Sequence, residues 1–155
     1  MKNHRVPEAT LYGVAALDDQ HRRLFGLIEK IARSADTDSF HVIEALFGTL
    51  LDLLAKHFSD EEQLMIETRY PKALEHGALH RALLAEIDRR WRRMSENGYV
   101  SKRDAHDAVD RIIRHMLLVD GPFKTHLKRI GYRARGVNVP KRAGRANSSS
   151  IVSQI

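Results

Sequence analysis

The segment His57-Phe58-Ser59-Asp60-Glu61 lies within a long apolar-periodic stretch and is the strongest indication of how this chain folds. His57 and Glu61 are four residues apart, so both side chains project from one face of an α-helix and can reach one metal ion. His76 and His80 repeat this spacing in the next helical stretch. Two such pairs predict two helices that point metal ligands at a common centre.

Three further ligand candidates lie outside these pairs. His21 precedes them, while His115 and Asp120 follow. His115 and Asp120 are five residues apart, which is about 140° off register on a continuous α-helix. The following Gly121-Pro122 disfavours helical geometry at Gly121, so a distorted turn at Asp120 can return the carboxylate to the face of His115. The seven candidates together predict a two-metal site at the centre of a helical bundle.

The predicted fold is all-α: an up-down-up-down four-helix bundle with an extended N-terminal arm and a short C-terminal helical stretch. Its elements are an arm over residues 1–17, helices over 18–35, 39–67, 71–96 and 101–120, and a helical stretch that stops at Gly131. The predicted helix starts are a cap at Asp18 or Asp19, Pro71 as a first residue, and Ser101 with Asp104 as a capping box. The inward stripe predicted for the second helix is Val42, Leu46, Leu50, Leu54, His57, Glu61 and Met65.

Composition limits the classes of protein to which this chain can belong. The chain has 155 residues, of which 43% are apolar, and this fits one globular domain with a substantial core. It contains no apolar run of membrane-spanning length, and Met1 to Thr10 does not resemble a signal peptide. Cysteine is absent, which excludes disulfides and thiolate metal sites, and a cytoplasmic location is expected.

The net charge of +6 suggests nucleic-acid binding at first sight. Much of the excess, however, lies in residues 133–155, which carry five lysines or arginines and no acid. We therefore predict a bundle over residues 1–132 and a basic, disordered tail over residues 133–155. The basic run at residues 89–93 is typical of a solvated helix face. Neither nucleic acid nor a membrane is an expected partner.

The types of donor atom limit which metal ions can bind at this site. Imidazole and carboxylate suit iron, zinc, manganese or copper, and sulfur is absent. Five histidine nitrogens, two bridging carboxylates and a bridging hydroxide or oxide fill all but one position of two octahedral metals. The pattern therefore predicts one saturated metal and one metal with an open position for a small ligand.

Over about residues 6–130 the chain resembles a single-domain bacterial hemerythrin. The residues that carry the resemblance are Gly13 with Asp18-Asp19-Gln20-His21, His57 through Glu62 with Met65, Tyr70-Pro71 through His76 and His80, and His115 through Asp120. The resemblance implies a non-haem centre of two iron ions that binds dioxygen reversibly at the open iron. In the family pattern a histidine triad holds the saturated iron, a histidine pair holds the open iron, and two carboxylates bridge them. In this sequence these are His76, His80 and His115, then His21 and His57, then Glu61 and Asp120.

The resemblance also indicates what lies around the open iron. By family position Leu24, Phe58 and Met116 wall the oxygen pocket, although each is equally well explained as core. Arg111 stands where many members carry a tryptophan, one helical turn before His115. Nitric oxide and small anions such as azide are further candidate ligands.

The predicted function is a binding protein for dioxygen that serves as a carrier, a store or a local supply, and not an enzyme. Two alternatives stay open: a sensor of oxygen or nitric oxide, and a di-iron redox enzyme such as a peroxidase or a nitric-oxide-handling protein. Oxygen-activating di-iron bundles use Glu-x-x-His pairs, and this sequence contains none. A Ser-His-Asp set and a thiol nucleophile are also missing.

Overall fold

The computed structural model describes residues 6–35 and 39–133, which form a four-helix bundle extended by a short fifth helix. The helices are α1 (Ala15–Ser34), α2 (Phe40–Glu67), α3 (Ala73–Asn97), α4 (Lys102–Arg114) and α5 (Gly121–Arg129). Helices α1 and α3 each pack against both α2 and α4, and short connections reverse the chain between neighbours. The described residues contain no strand. The predicted all-α, up-down-up-down bundle is confirmed.

Two predicted helix starts are also confirmed. Ser39 is the residue before α2, and the hydroxyl of Ser101 accepts a hydrogen bond from the backbone N–H of Asp104 at 3.0 Å at the start of α4. This bond satisfies one of the donors that a helix N-terminus leaves without an intrahelical partner. Helix α3 ends at Asn97, where Gly98 adopts a left-handed φ of 61°, as the Asn-Gly pair predicts.

Two other starts differ from the prediction. Helix α1 begins at Ala15 rather than after Asp18, because the Asp18 carboxylate accepts bonds from outside the helix, at 2.6 Å from the N–H of Tyr12 and 3.1 Å from that of Gly13. Helix α3 begins at Ala73, so Pro71 lies in the preceding turn and is not the first helical residue.

From residue 6 onwards the N-terminal arm is folded rather than extended. Glu8–Thr10 forms a short 3₁₀ helix, and Gly13 turns the chain with a φ of 75°. The buried ammonium group of Lys124 on α5 donates to the carbonyl of Ala9 at 2.9 Å and to that of Met116 at 3.1 Å. The arm is therefore held against the same end of the bundle as α5.

The core consists of apolar stripes from all four bundle helices. On α2 the predicted stripe is correct from Leu46 onwards, but Val42 is 41% exposed and Ile43 is buried in its place. Val42 and Ile43 precede Leu46 by four and three residues and lie close together on the helix surface. Packing against the other helices buries Ile43 and leaves Val42 exposed. From residue 134 the predicted tail lies outside the described residues. None of the helices in the described part of the chain combines the length and the hydropathy of a membrane span.

Candidate metal centre

The seven predicted ligands meet at one place, between the ends of all four bundle helices. Their donor atoms form two groups that share Asp120, and the atoms within each group lie within 4.8 Å of one another. The larger group is His76, His80, His115 and Asp120, and the smaller is His21, His57 and Asp120. Glu61 lies between the groups, with its Oε2 atom 3.3 Å from His80 Nε2 and 3.8 Å from His57 Nε2. All seven side chains are buried.

A π-helical turn brings the last two ligands together. His115–Val119 forms this turn, in which the N–H of Asp120 donates to the carbonyl of His115 five residues earlier at 3.2 Å. The wider turn places five-residue neighbours on one face, so His115 Nε2 lies 3.2 Å from Asp120 Oδ1. The sequence predicts a distorted turn here, but the helix widens and continues into α5 instead of ending at Asp120.

Fixed partners orient three of the imidazoles. The Nδ1–H of His21 donates to the carbonyl of Thr10 at 2.6 Å, and the Nδ1 atom of His80 lies 2.9 Å from Glu62 Oε1. Because these partners only accept, each ring carries its proton on Nδ1 and presents an Nε2 lone pair to the centre. His57 behaves likewise. The amide nitrogen of Gln20 donates to Asp60 at 2.6 Å, which leaves its oxygen to accept from His57 Nδ1–H at 3.1 Å.

This arrangement creates an electrostatic conflict that a cation resolves. The Nε2 atoms of His21 and His57 lie 2.9 Å apart, and the partners on the opposite nitrogens make both of them unprotonated. Two lone pairs that face each other at this distance repel unless a positive ion lies between or beside them. The pair is therefore built as ligands rather than as a hydrogen bond.

The remaining donors also lack partners. In the described residues, six buried atoms at this centre have no hydrogen-bond partner: Glu61 Oε2, His76 Nε2, His80 Nε2, His115 Nε2, and Oδ1 and Oδ2 of Asp120. Asp120 Oδ1 is near His76 Nε2, at 3.3 Å, but outside hydrogen-bond geometry. Neighbouring donors on an octahedral ion with bonds of about 2.1 Å are separated by about 3 Å. The residues thus fit a pair of metal ions.

Burial sets the charge of the centre. It lowers the pKa of His57 to about 3 and that of His80 to about 4. Burial and the adjacent charge of Asp120 raise the pKa of Glu61 to about 8. Burial alone would raise the pKa of Asp120, but His115 and His76 outweigh it and hold the pKa below its usual range. At neutral pH these imidazoles offer free lone pairs, and a metal displaces a proton from Glu61.

Sequence reasoning missed the residues that support the ligands. Tyr12 donates its hydroxyl hydrogen to Glu61 Oε1, while Thr10, Gln20 and Glu62 orient imidazoles. Gln20 and Glu62 directly adjoin the ligands His21 and Glu61, and polar neighbours of ligands are reasonable candidates for this role. Nothing in the sequence pattern indicates that the arm returns to the centre.

The predicted pocket residues fall into two sets. Leu24, Phe58 and Met116 are buried in the bundle core, and the ring of Phe58 stacks on His80 with centroids 3.9 Å apart. Arg111 lies apart from these core residues, and its place at the oxygen pocket stays a prediction. Its side chain is 58% exposed and is held at the surface by Glu86 on α3, with 2.5 Å between Nη2 and Oε2.

The family model described as the hemerythrin HHE cation binding domain matches residues 12–126. The chain belongs to the hemerythrin family. A crystal structure titled hemerythrin, wild-type, superposes on this hemerythrin-family chain with a TM-score of 0.67 and 24% sequence identity, and covers 74% of this chain and 89% of that one. This similarity establishes the shared fold.

Two relatives illustrate the extent of the similarity. A bacteriohemerythrin of Campylobacter jejuni is 34% identical over 76 residues, which are 46% of this hemerythrin-family chain and 55% of the relative. The chain thus spans about half the length of that relative. Hemerythrin subunit 1 of Golfingia vulgaris is 27% identical over 109 residues, which are 70% of this chain and 80% of the relative.

Proposed function

We propose that this hemerythrin-family chain holds two iron ions and binds dioxygen reversibly, as a carrier, a store or a local supply. The observation that carries the proposal is the set of buried imidazole and carboxylate atoms that have lone pairs and no partner. Such atoms cost free energy unless an ion binds them. Nitrogen and oxygen donors suit iron, and the family to which this chain belongs is described as a cation binding domain.

The two groups of ligands have different roles in this proposal. His76, His80 and His115 hold one iron, His21 and His57 hold the other, and Asp120 and Glu61 join them. Iron held by these residues would supply the electrons that dioxygen needs. The side of His21 and His57 offers one histidine fewer than the triad and would therefore leave room for the ligand.

The surrounding residues favour binding over turnover. Leu24, Phe58 and Met116 are almost completely buried in the core, and the Phe58 ring, which stacks on His80, covers the centre with apolar surface. The bonds that the imidazoles donate to Thr10, Gln20 and Glu62 keep the rings in place while a small ligand enters and leaves. Nitric oxide and azide have the size and donor type to compete for the same position.

Metal analysis combined with spectroscopy tests the proposal. Protein from iron-replete cells should contain close to two irons per chain, and its reduced form should change its visible spectrum on exposure to oxygen and recover when oxygen is removed. Steady oxygen consumption with turnover would instead indicate a redox enzyme. A stable single-zinc protein that takes up no iron would contradict the proposal.

A further inference from the structure

A small cavity opens at the surface between α3 and α4, beside the histidine triad. Its volume is about 260 Å³, which is below the range of about 300 to 1,000 Å³ that is usual for pockets that hold larger organic ligands. Apolar side chains form its walls: Leu79, Ala82 and Leu83 of α3, and Leu118 and Val119 of the π-helical turn. Leu79 and Leu118 are 46% and 72% exposed, so apolar surface continues to the mouth of the cavity. The size and the walls fit a short hydrocarbon chain.

The candidate metal ligand His115 lines the same cavity. Its side chain is 6% exposed, and its Nε2 atom lies 3.2 Å from Asp120 Oδ1 in the centre. The other ring nitrogen, Nδ1, has no hydrogen-bond partner among the described residues, yet only Nε2 of this ring belongs to the buried atoms without a partner. The small exposed part of the ring therefore includes Nδ1, which is reached through the cavity.

This open nitrogen distinguishes His115 from three other imidazoles of the centre. Those three donate from Nδ1 to protein acceptors, as metal-bound histidines almost always do. An ion at Nε2 of His115 requires the proton of the neutral ring to be on Nδ1. The metal-bound protein therefore presents an N–H donor at the cavity, and the described residues supply no acceptor for it.

The charge around the cavity favours an anionic acceptor. Arg111 and Arg114 line it, and none of the described residues that line it is acidic. The guanidinium of Arg111 is bound to Glu86, whereas Arg114 is exposed and has no ion pair or hydrogen bond within the described part of the chain. A carboxylate can accept from a guanidinium and from an imidazole N–H at the same time, and both bonds are charge-assisted.

We propose that the cavity between α3 and α4 binds a small monocarboxylate with an apolar chain. Its carboxylate accepts from Nδ1–H of His115 and from Arg114, and its chain packs against Leu79 and Leu118. This inference rests on the proposed metal-binding function and adds a regulatory ligand to that site. An acceptor on the second nitrogen raises the basicity of a metal-bound imidazole, so the carboxylate strengthens the bond of His115 to its ion. By reciprocity, the metal-loaded chain binds the carboxylate more tightly than the metal-free chain does, by the same factor.

Calorimetric titration with hexanoate tests the inference, on the metal-free chain and on the chain loaded with Co²⁺. The loaded chain should bind one hexanoate about tenfold more tightly than the metal-free chain, the lower end of the effect that partners of metal ligands have on affinity. Acetate lacks the chain and hexanol lacks the charge. Each should bind at least about tenfold more weakly than hexanoate.

Substitutions at exposed positions test the two parts of the cavity. Arg114→Gln should weaken hexanoate binding by about tenfold, the scale of one charge-assisted hydrogen bond. Arg103→Gln, on the same helix but outside the cavity, should not. Ala82→Phe should fill the cavity and abolish binding. Its control is Ala85→Phe, which is also exposed on α3 but lines a different groove.

The outcomes separate this inference from the proposed function. Failure of the chain to take up Co²⁺ would contradict the metal-binding function, and hexanoate binding to the metal-free chain and its Ala82→Phe variant would still decide whether the cavity is a site. Absence of hexanoate binding would overturn the inference. Equal affinities of the loaded and metal-free chains, acetate binding as tight as that of hexanoate, or unchanged binding in Ala82→Phe would also overturn it.

Discussion

His21 and His57 face each other through unprotonated Nε2 atoms 2.9 Å apart, because Thr10 and Gln20 hold the protons on the opposite nitrogens. The pair is thus prepared for a cation before one arrives. Preorganisation of this kind depends on the second layer of residues as much as on the ligands.

Gln20→Leu should therefore weaken metal binding at His21 and His57 by about 10- to 100-fold. The substitution keeps the bulk of the side chain but removes the oxygen that fixes the tautomer of His57. Competition titration with a chelator measures the loss. Gln63→Leu, at an exposed position whose amide donates to Glu67, is the control, and an equal effect of both variants would contradict the assignment.

Asp120→Asn should reduce the metal content of purified protein more severely than Glu61→Gln does. Asp120 belongs to both groups of donor atoms, so its loss affects both ions, whereas the triad retains Asp120 when Glu61 is changed. Elemental analysis after desalting gives the stoichiometry. His41→Asn, on an exposed residue, should keep the wild-type value. Full metal content in Asp120→Asn would show that this residue bridges nothing.

The free energy of unfolding of the metal-free chain should be greatest at about pH 6.5 to 7. Folded His57 and His80 resist protonation to about pH 3 and 4, but in the unfolded chain both take up protons below 6.5. The unfolded state then binds more protons, and stability falls as the pH falls below 6.5. Glu61 acts oppositely: its pKa of about 8, against 4.5 unfolded, adds stability at low pH that is lost as the pH rises towards 8.

Below pH 6.5 the two histidines change the free energy of unfolding more than the single carboxyl does. Above pH 6.5 only the carboxyl acts, so the free energy of unfolding has its maximum there. Urea unfolding at a series of pH values measures the curve. A stability that rises steadily from pH 5 to 8 would contradict this balance of charges. Glu61→Gln should remove the decline above pH 7 and keep the loss in acid.

Lys124→Met should lower the free energy of unfolding by about 2 kcal/mol, because it removes the charged donor of the Ala9 carbonyl and leaves the buried carbonyl of Met116 without that donor. Methionine retains the apolar stem, so packing changes little. Denaturant unfolding gives the value, and limited proteolysis reports release of the arm. Lys128→Met, one turn along α5 at an exposed position, should have little effect. Similar losses in both variants would indicate a general effect of lost charge.

Arg111→Ala should change stability by less than about 1 kcal/mol, as expected for an exposed ion pair. Arg111→Trp should leave the decay of the oxygenated spectrum at the wild-type rate, because the guanidinium is held by Glu86 at the surface. A slower decay in Arg111→Trp would show that this position reaches the pocket after all.

The ligands could be predicted because their spacing is a local property. Four-residue pairs on α2 and α3 point the same way on any α-helix, whatever surrounds them. The direction of the Arg111 side chain could not be predicted in this way. A residue one helical turn before His115 can point either towards the centre or towards the neighbouring helix. Glu86, which lies on another helix, decides it.

The supporting residues depend on tertiary structure. Tyr12 reaches Glu61 only because Asp18 bends the arm back, and the pattern of apolar residues does not record that bend. At Asp120 the sequence indicates a break in geometry but not its form. The wide turn keeps the backbone bonded through Asp120, since its N–H donates to His115 and its carbonyl accepts from Lys124, and buried backbone groups require such partners.

The bond between Lys124 and the carbonyl of Ala9 joins positions 115 residues apart. During synthesis the arm leaves the ribosome long before α5 does. Through most of translation the arm therefore lacks its bond to Lys124. Asp120, the carboxylate common to both halves of the centre, also emerges late. Metal uptake must therefore follow synthesis rather than accompany it, since a chain that terminates before α5 carries all five ligand histidines but lacks Lys124, the residue that holds the arm in place.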